Sequence, residues 1–170
     1  ESNQKMLNKE IIIEINQLVN PTNSINKKKI EEKIKKLIND SKSDYIIFAE
    51  NNFPYLINKN NLSNLNNFIK KNKKVIIGAT AIQDGDYYNS FFLLEKNKIQ
   101  NFDKKILVPF GEFLPFRKYL NFMEIISGSI DFKKGNTERI ITTADNLKIL
   151  PIICYEIIFD KIFKNINKKE

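Results

Sequence analysis

The sequence contains no histidine, no tryptophan and one cysteine among its 170 residues. A single cysteine excludes an internal disulfide and a zinc site built from several cysteines. The absence of histidine removes the usual general base for a cysteine or serine nucleophile, and it removes the commonest transition-metal ligand. Any catalysis by this chain must therefore use carboxylate, lysine or cysteine side chains.

Arginine is also scarce, since Arg117 and Arg139 are the only two and lysine supplies nearly all of the net charge of +8. Bidentate recognition of phosphates and bases prefers arginine. Asparagine, lysine and isoleucine are abundant throughout, which indicates a general compositional bias more than a basic patch. We therefore expect no nucleic-acid partner, whereas attraction to an anionic membrane surface stays open.

Long hydrophobic runs are missing as well. No segment approaches the roughly 18 apolar residues of a membrane span, and the first residues lack a signal-peptide core. A hydrophobic content of 42%, with 13 phenylalanines and 6 tyrosines, is typical of a folded globular chain. The length favours one domain over residues 1–170. Because the chain begins with Glu1 and not Met, we expect it to be a piece of something longer.

The first half of the chain alternates between strand and helix patterns. The hydrophobic periodicity predicts strands and helices in the order β-α-β-α-β, at Ile11–Ile15, Ile25–Asn39, Tyr45–Phe48, Leu62–Ile69 and Val75–Ala81. This order implies a sheet with parallel neighbours and right-handed crossovers.

The second half changes to hairpins, so the predicted sheet is mixed. Tyr87–Leu94 and Lys98–Gln100 read as one hairpin after the turn residues Asp84-Gly85, and Arg139–Thr142 with Lys148–Ile153 reads as another. The segment Phe116–Ile126 is amphipathic. Its pattern fits either a core-facing helix or a segment lying at a membrane interface.

Cys154 ends the apolar run Leu150–Cys154, which predicts a buried strand, and helical spacing follows it. A thiol at a strand-to-helix turn lies beside free N–H groups and the positive end of a helix dipole, which favours a thiolate and an oxyanion. Free cysteine is also among the most buried residue types. On this stretch alone, the pattern favours a core role for Cys154 over a catalytic one.

Two charged residues occupy corresponding places along the chain. Glu50 follows the strand Tyr45–Phe48, and Lys104 follows the first hairpin. Without histidine, a carboxylate is left as the base for a thiol, and a nearby lysine can stabilise a developing oxyanion. Each residue alone is more typical of a solvated surface than of a functional site.

Three segments resemble, in order and approximate spacing, the catalytic motifs of the nitrilase (carbon–nitrogen hydrolase) superfamily: Phe48–Pro54, Phe102–Pro115 and Ile153–Glu156. Within it, Leu107–Pro115 and Tyr88-Asn-Ser90 resemble the apolipoprotein N-acyltransferases in particular. The resemblance implies an α/β fold, the nitrilase-like α-β-β-α sandwich. Because family members continue well past the cysteine, we expect this sandwich to be incomplete at the C-terminus.

The resemblance also implies a Glu-Lys-Cys triad of Glu50, Lys104 and Cys154. In that family the glutamate takes the thiol proton, the lysine stabilises the tetrahedral oxyanion and the cysteine becomes a thioester. The implied substrates are a phospholipid acyl donor and an apolipoprotein acceptor whose N-terminal cysteine carries a diacylglyceryl group. This chemistry needs neither cofactor nor metal.

Further residues are implied by the same resemblance. Glu112 matches a second essential glutamate, while Tyr155 and Glu156 match residues that support the site. As alternatives, Glu112 could cap the segment after it, and Tyr155 could pack under the turn.

The resemblance predicts contact with lipid as well. It implies a membrane-facing loop in which phenylalanines cover acyl chains, here Phe110, Phe113, Phe116 and Phe122. Family members carry membrane helices before this domain, so we expect the full-length protein in the bacterial inner membrane with this domain on the periplasmic side. Two other hypotheses stay open: a soluble nitrilase-type amidase that acts on a small amide, and a truncated remnant without catalysis.

Overall fold

One six-stranded sheet organises the chain, in a computed structural model that describes residues 10–18, 26–70, 72–96, 98–115, 130–136 and 139–164. Its strands are β1 (Ile13–Asn16), β2 (Tyr45–Phe48), β3 (Ile57–Asn58), β4 (Lys74–Gln83), β5 (Asp86–Glu95) and β6 (Lys98–Asp103). The main path runs β1-β2-β4-β5-β6, and β3 pairs with β4 beyond β2. The first four strands run parallel, whereas β5 and β6 are antiparallel to their neighbours. The predicted mixed α/β class is confirmed.

Helix α1 (Lys27–Asp40) covers one face of this sheet and confirms the predicted first helix. The Asn26 side chain caps it by accepting a hydrogen bond from the Lys29 N–H at 3.1 Å. Ile34 and Ile38 are buried on its inner face, where they join the core that includes Phe48 of β2. The i, i+4 spacing of these residues therefore packs the helix on the sheet.

The second predicted helix is wrong in type and length. A 3₁₀ helix spans only Ser63–Phe68, because this stretch is rich in asparagine, whose side chain competes for backbone hydrogen bonds. The Asn61 carboxamide oxygen accepts from the Ser63 N–H at 3.1 Å. Leu65 and Phe68 are nevertheless buried as the pattern requires.

A second, two-stranded sheet lies on the opposite face. It consists of β7 (Ile141–Thr142) and β8 (Lys148–Ile149), and Ile141 packs with Leu93 and Phe102 of the large sheet. The described residues thus form helix, sheet and sheet layers in that order.

Asp145, in the turn between β7 and β8, anchors the small sheet through a 2.8 Å ion pair with Lys74. Burial raises the pKa of Asp145, but hydrogen bonds from Lys74 and Thr143 outweigh burial and lower it to about 2.

This second hairpin is shorter than predicted. Strand β8 ends at Ile149, and the residues from Leu150 to Ile153 are not paired as a strand. Pro151 has no N–H to donate to a sheet, which accounts for the early end. A 3₁₀ helix over Cys154–Ile158 and helix α2 (Lys161–Lys164) follow.

Within the described ranges, no helix is both long and apolar enough to cross a membrane. The segment Phe116–Ile126 lies outside those ranges, so both interpretations of it stay predictions.

Candidate active site

The sheet brings three polar residues to one edge. Glu50 follows β2 after a single residue, Asn89 lies within β5, and Lys104 directly follows β6. Strands β2 and β5 flank β4, β6 pairs with β5, and the Lys104 N–H donates to the Asn89 carbonyl at 2.9 Å. The prediction that Glu50 and Lys104 lie at corresponding strand ends is therefore matched by their positions.

Lys104 lies between two carboxylates. Its Nζ is 2.9 Å from Glu112 Oε2 and 3.7 Å from Glu50 Oε1. The lysine side chain is only 1% exposed, whereas that of Glu50 is 31% exposed. A buried ammonium requires such compensation. The Lys104 ammonium is thus held by Glu112 on its buried side, and on its other side it faces the more accessible Glu50.

Asn89 links the two glutamates. Its Nδ2 donates to Glu50 Oε1 at 2.5 Å and to Glu112 Oε1 at 2.7 Å. Two carboxylate acceptors fix the orientation of the amide, because the opposite orientation would place oxygen against oxygen. In the sequence, Asn89 stands out only as part of the Tyr88-Asn-Ser90 motif, which does not predict this role. Its partners are distant in sequence, so only the fold identifies it.

A turn positions Glu112. The Gly111 and Glu112 N–H groups both donate to the Val108 carbonyl, and Glu112 Oε2 accepts from the Val108 N–H at 2.9 Å. Phe110 has a positive φ of 64° in this turn. The carboxylate contacts Asn89, Lys104 and Val108, which all precede it, so the described contacts do not support a capping role for Glu112.

Gly78 lets the Glu50 backbone approach β4. A Cβ atom at this position would lie 2.7 Å from the Ala49 carbonyl oxygen and 2.8 Å from the Glu50 Cα. Both distances are shorter than real Cβ contacts. A side chain on Gly78 would therefore displace Glu50.

Lys59 supports the residue before Lys104. Its Nζ lies 3.5 Å from the centroid of the Tyr88 ring and 2.7 Å from Asp103 Oδ2. The Ser90 hydroxyl donates to the other oxygen of Asp103 at 2.6 Å. Both members of the ion pair are buried, which fixes the end of β6.

Cys154 is exposed, so the core alternative is wrong. Its φ is +50°, a left-handed backbone conformation that residues other than glycine rarely adopt. It opens the 3₁₀ helix directly after the buried Ile153. A strained turn that presents a nucleophile to solvent is a recurring arrangement in hydrolases.

Glu156 joins the cysteine turn to the lysine loop. It is fully buried, and its Oε1 accepts from the Lys105 and Ile106 N–H groups at 2.9 and 3.1 Å. Its Oε2 accepts from the Ile153 N–H at 3.0 Å. Burial raises the pKa of Glu156, but the hydrogen bonds from Arg139 and these N–H groups outweigh burial and lower it.

The remaining predicted residues are less closely tied to this cluster. Tyr155 is 45% exposed, so it does not pack beneath the turn. Phe110 is 42% exposed and Phe113 is half-buried. Phe116 and Phe122 lie outside the described residues.

Glu50, Lys104 and Glu112 form one bonded cluster with Asn89. Glu156 bonds to the residue before Cys154 and to the two residues after Lys104, and none of the described contacts joins Cys154 itself to Glu50 or Lys104. Among the parts of the chain that the structure describes, no three acidic or cysteine side chains are grouped to hold a metal ion.

The chain is similar to curated apolipoprotein N-acyltransferases. The enzyme of Rickettsia typhi is 39% identical over 85 residues, which cover 49% of this chain and 17% of that protein. The enzyme of Wigglesworthia glossinidia brevipalpis is 35% identical over 148 residues, which cover 78% of this chain and 29% of that protein. The matched part of the chain thus spans less than a third of either relative. The predicted relationship to these acyltransferases is confirmed.

No protein-family model matches the chain. A solved CN-hydrolase superfamily protein from Xanthomonas campestris aligns with 88% of this chain and 53% of its own, at 12% identity and a TM-score of 0.46.

Proposed function

We propose that this relative of the apolipoprotein N-acyltransferases is the catalytic part of an enzyme with that activity. It moves a fatty acyl chain from a phospholipid to the N-terminal diacylglyceryl-cysteine of an apolipoprotein, through a thioester on Cys154. One observation carries the proposal. A buried lysine is held between Glu50 and Glu112, and Glu156 ties its loop to the turn that exposes the Cys154 thiol.

In the first half-reaction, Glu50 takes the proton of the Cys154 thiol and the sulfur attacks the ester carbonyl carbon of the phospholipid. Lys104 donates a hydrogen bond to the oxyanion that forms, and its ion pair with Glu112 keeps the ammonium in place. The ester C–O bond then breaks, the leaving alcohol receives the proton from Glu50, and a lysophospholipid departs. The acyl chain remains on sulfur.

In the second half-reaction, the α-amine of the acceptor attacks the thioester carbonyl. Glu50 takes a proton from the amine, Lys104 again stabilises the oxyanion, and the C–S bond breaks as the amide forms. The thiol of Cys154 is restored with the proton that Glu50 held. Nothing is oxidised or reduced in either half-reaction, and Glu50, Lys104 and Cys154 supply all the proton transfers, hydrogen bonds and bonds to the acyl group that the scheme needs.

Lipid substrates imply a position at a membrane surface. The exposed ring of Phe110, two residues from Glu112, is suited to contact acyl chains there. We extend this role to Phe113, Phe116 and Phe122. In this proposal the enzyme belongs to the bacterial inner membrane, and this part of it faces the periplasm.

Mass spectrometry of the protein as its gene encodes it tests the proposal. After incubation with phospholipid in mixed micelles, we expect one added acyl chain on Cys154. A peptide that begins with diacylglyceryl-cysteine should then remove it. The matched control is Cys154→Ala, which should gain no acyl chain, and acylation unchanged in that variant would refute the assignment.

The same preparation separates the two other hypotheses. Ammonia release from small amides, without acylation by phospholipid, would favour a soluble amidase. A folded protein whose Cys154 reacts with neither acyl donors nor thiol reagents would favour a remnant without catalysis.

A further inference from the structure

Arg139 contacts both sides of the proposed site. Its Nη2 donates to Glu156 Oε1 at 2.9 Å and its Nη1 to Glu156 Oε2 at 3.3 Å. The Nη1 also donates to the Pro151 carbonyl at 3.0 Å, three residues before Cys154. The guanidinium carbon lies 5.0 Å from the centroid of the Phe102 ring, two residues before Lys104.

These contacts form a bridge between two segments that are far apart in sequence. Pro151 belongs to the cysteine segment, Phe102 belongs to β6, which ends just before Lys104, and Glu156 bonds to both segments. The Arg139 side chain is 14% exposed and that of Glu156 is fully buried. Removal of the guanidinium would leave a buried carboxylate without its counter-charge and would free the Pro151 carbonyl.

We propose that Arg139 is a positioning residue that sets the distance between Cys154 and Lys104 by acting through Glu156. The inference rests on the proposed function, because that function requires the thiol and the ammonium to meet at one carbonyl group. Lysine cannot replace arginine here. Its single ammonium cannot bond both carboxylate oxygens and the Pro151 carbonyl while it covers an aromatic ring.

Arg139→Ala and Arg139→Lys test this role in the full gene product. Arg139→Lys keeps the charge but loses the planar fork, so we expect both variants to form the Cys154 thioester about 100-fold more slowly than the wild type. Guanidinium at low concentration should restore at least part of the rate to Arg139→Ala, and methylammonium at the same ionic strength should not. If Arg139→Lys formed the thioester at the wild-type rate, the proposal would be overturned. If Arg139→Ala does not fold, Arg139→Lys is sufficient for the test.

A second readout does not need acyl transfer. Cys154 is the only cysteine of these 170 residues. Its alkylation rates with iodoacetate and iodoacetamide are followed on the peptide that contains it, and their ratio reports the positive potential beside the sulfur. We expect Arg139→Lys to lower this ratio toward that of a short cysteine peptide, since Lys104 is no longer held near the sulfur. The control Lys133→Met removes an exposed cation that pairs with Asp86 and should leave the ratio unchanged.

The two readouts separate the two proposals. A wild-type protein that forms no thioester, but whose alkylation ratio falls in Arg139→Lys, would refute the proposed function and retain the positioning role. If the wild type forms the thioester, and Arg139→Lys changes neither the rate of thioester formation nor the alkylation ratio, the positioning role would be refuted and the proposed function retained.

Discussion

Glu112 and Lys104 form a buried ion pair in which the carboxylate Oε2 lies 2.9 Å from the ammonium Nζ. Loss of one partner leaves the other charge buried with less compensation, so Glu112→Gln should lower the free energy of unfolding by about 3 kcal/mol. In a double-mutant cycle with Lys104→Met, we expect a coupling free energy of about 2 kcal/mol, measured by urea denaturation. The exposed pair Lys133–Asp86 is the control and should couple by less than about 1 kcal/mol. Equal coupling in the two pairs would contradict the burial argument.

Gly78→Ala should separate folding from catalysis. The new Cβ would collide with the Ala49 carbonyl and the Glu50 Cα, and displacement of Glu50 should slow formation of the Cys154 thioester about 100-fold. Circular dichroism should still report a folded sheet. Gly85→Asn is the matched control, since Gly85 has open space around it and asparagine tolerates its positive φ. Unchanged acylation in Gly78→Ala would show that the position of Glu50 does not matter.

Stability should depend on pH through Glu156. Its folded pKa lies below the ordinary value of 4.5, so the ionised carboxylate stabilises the fold above that pH. This contribution declines as the pH falls from about 4.5 through the lowered pKa, because the unfolded chain takes up the proton first. Urea unfolding at several pH values should give Glu156→Gln a lower stability at pH 7 and a flatter profile in this window. Parallel profiles for the variant and the wild type would contradict the assignment.

The backbone strain at Cys154 can be measured with two variants that both lack the thiol. Glycine adopts a positive φ without penalty and alanine does not. The free energy of unfolding of Cys154→Gly should therefore be about 1 kcal/mol larger than that of Cys154→Ala. Because the side chain is exposed, neither variant loses much packing. A more stable Cys154→Ala would indicate a relaxed turn in solution.

Phe110→Ser should weaken binding to phospholipid vesicles. Transfer of an exposed phenylalanine ring into lipid is worth about 1.5 kcal/mol or more, so we expect roughly tenfold weaker binding by co-sedimentation. Leu56→Ser removes an apolar side chain of similar exposure at another place in the fold, 44% against 42%. An equal loss of vesicle binding in both variants would indicate nonspecific hydrophobic adsorption instead of a lipid-facing loop.

The sequence predicts the frame of the site because the relevant signals are local. The run Tyr45–Phe48 is the observed strand β2, so the position of Glu50 at its end follows from periodicity alone. The form of the helix at residues 63–68 does not follow from the sequence pattern, because the spacing of Leu65 and Phe68 fits more than one helical form. There, local competition by asparagine decided the outcome.

The partners inside the site could not be predicted in this way. Asn89 bonds to a carboxylate 39 residues before it and to another 23 residues after it. Glu156 bonds to N–H groups about 50 residues earlier. Such contacts depend on strand register and burial, and nothing in the local pattern distinguishes Arg139 from a solvated arginine at a hairpin.

The Lys59 side chain has a consequence for the motions of the sheet. It extends from the end of β3, across the Tyr88 ring of β5, to Asp103 at the end of β6. If β6 frayed alone, the buried Lys59 ammonium would lose its carboxylate partner Asp103. We therefore expect these strand ends to open together. Amide protons near Asp103, Lys104 and Tyr88 then belong to one cooperative unit of hydrogen exchange, and the proposed oxyanion donor lies in a part of the molecule that opens as a block.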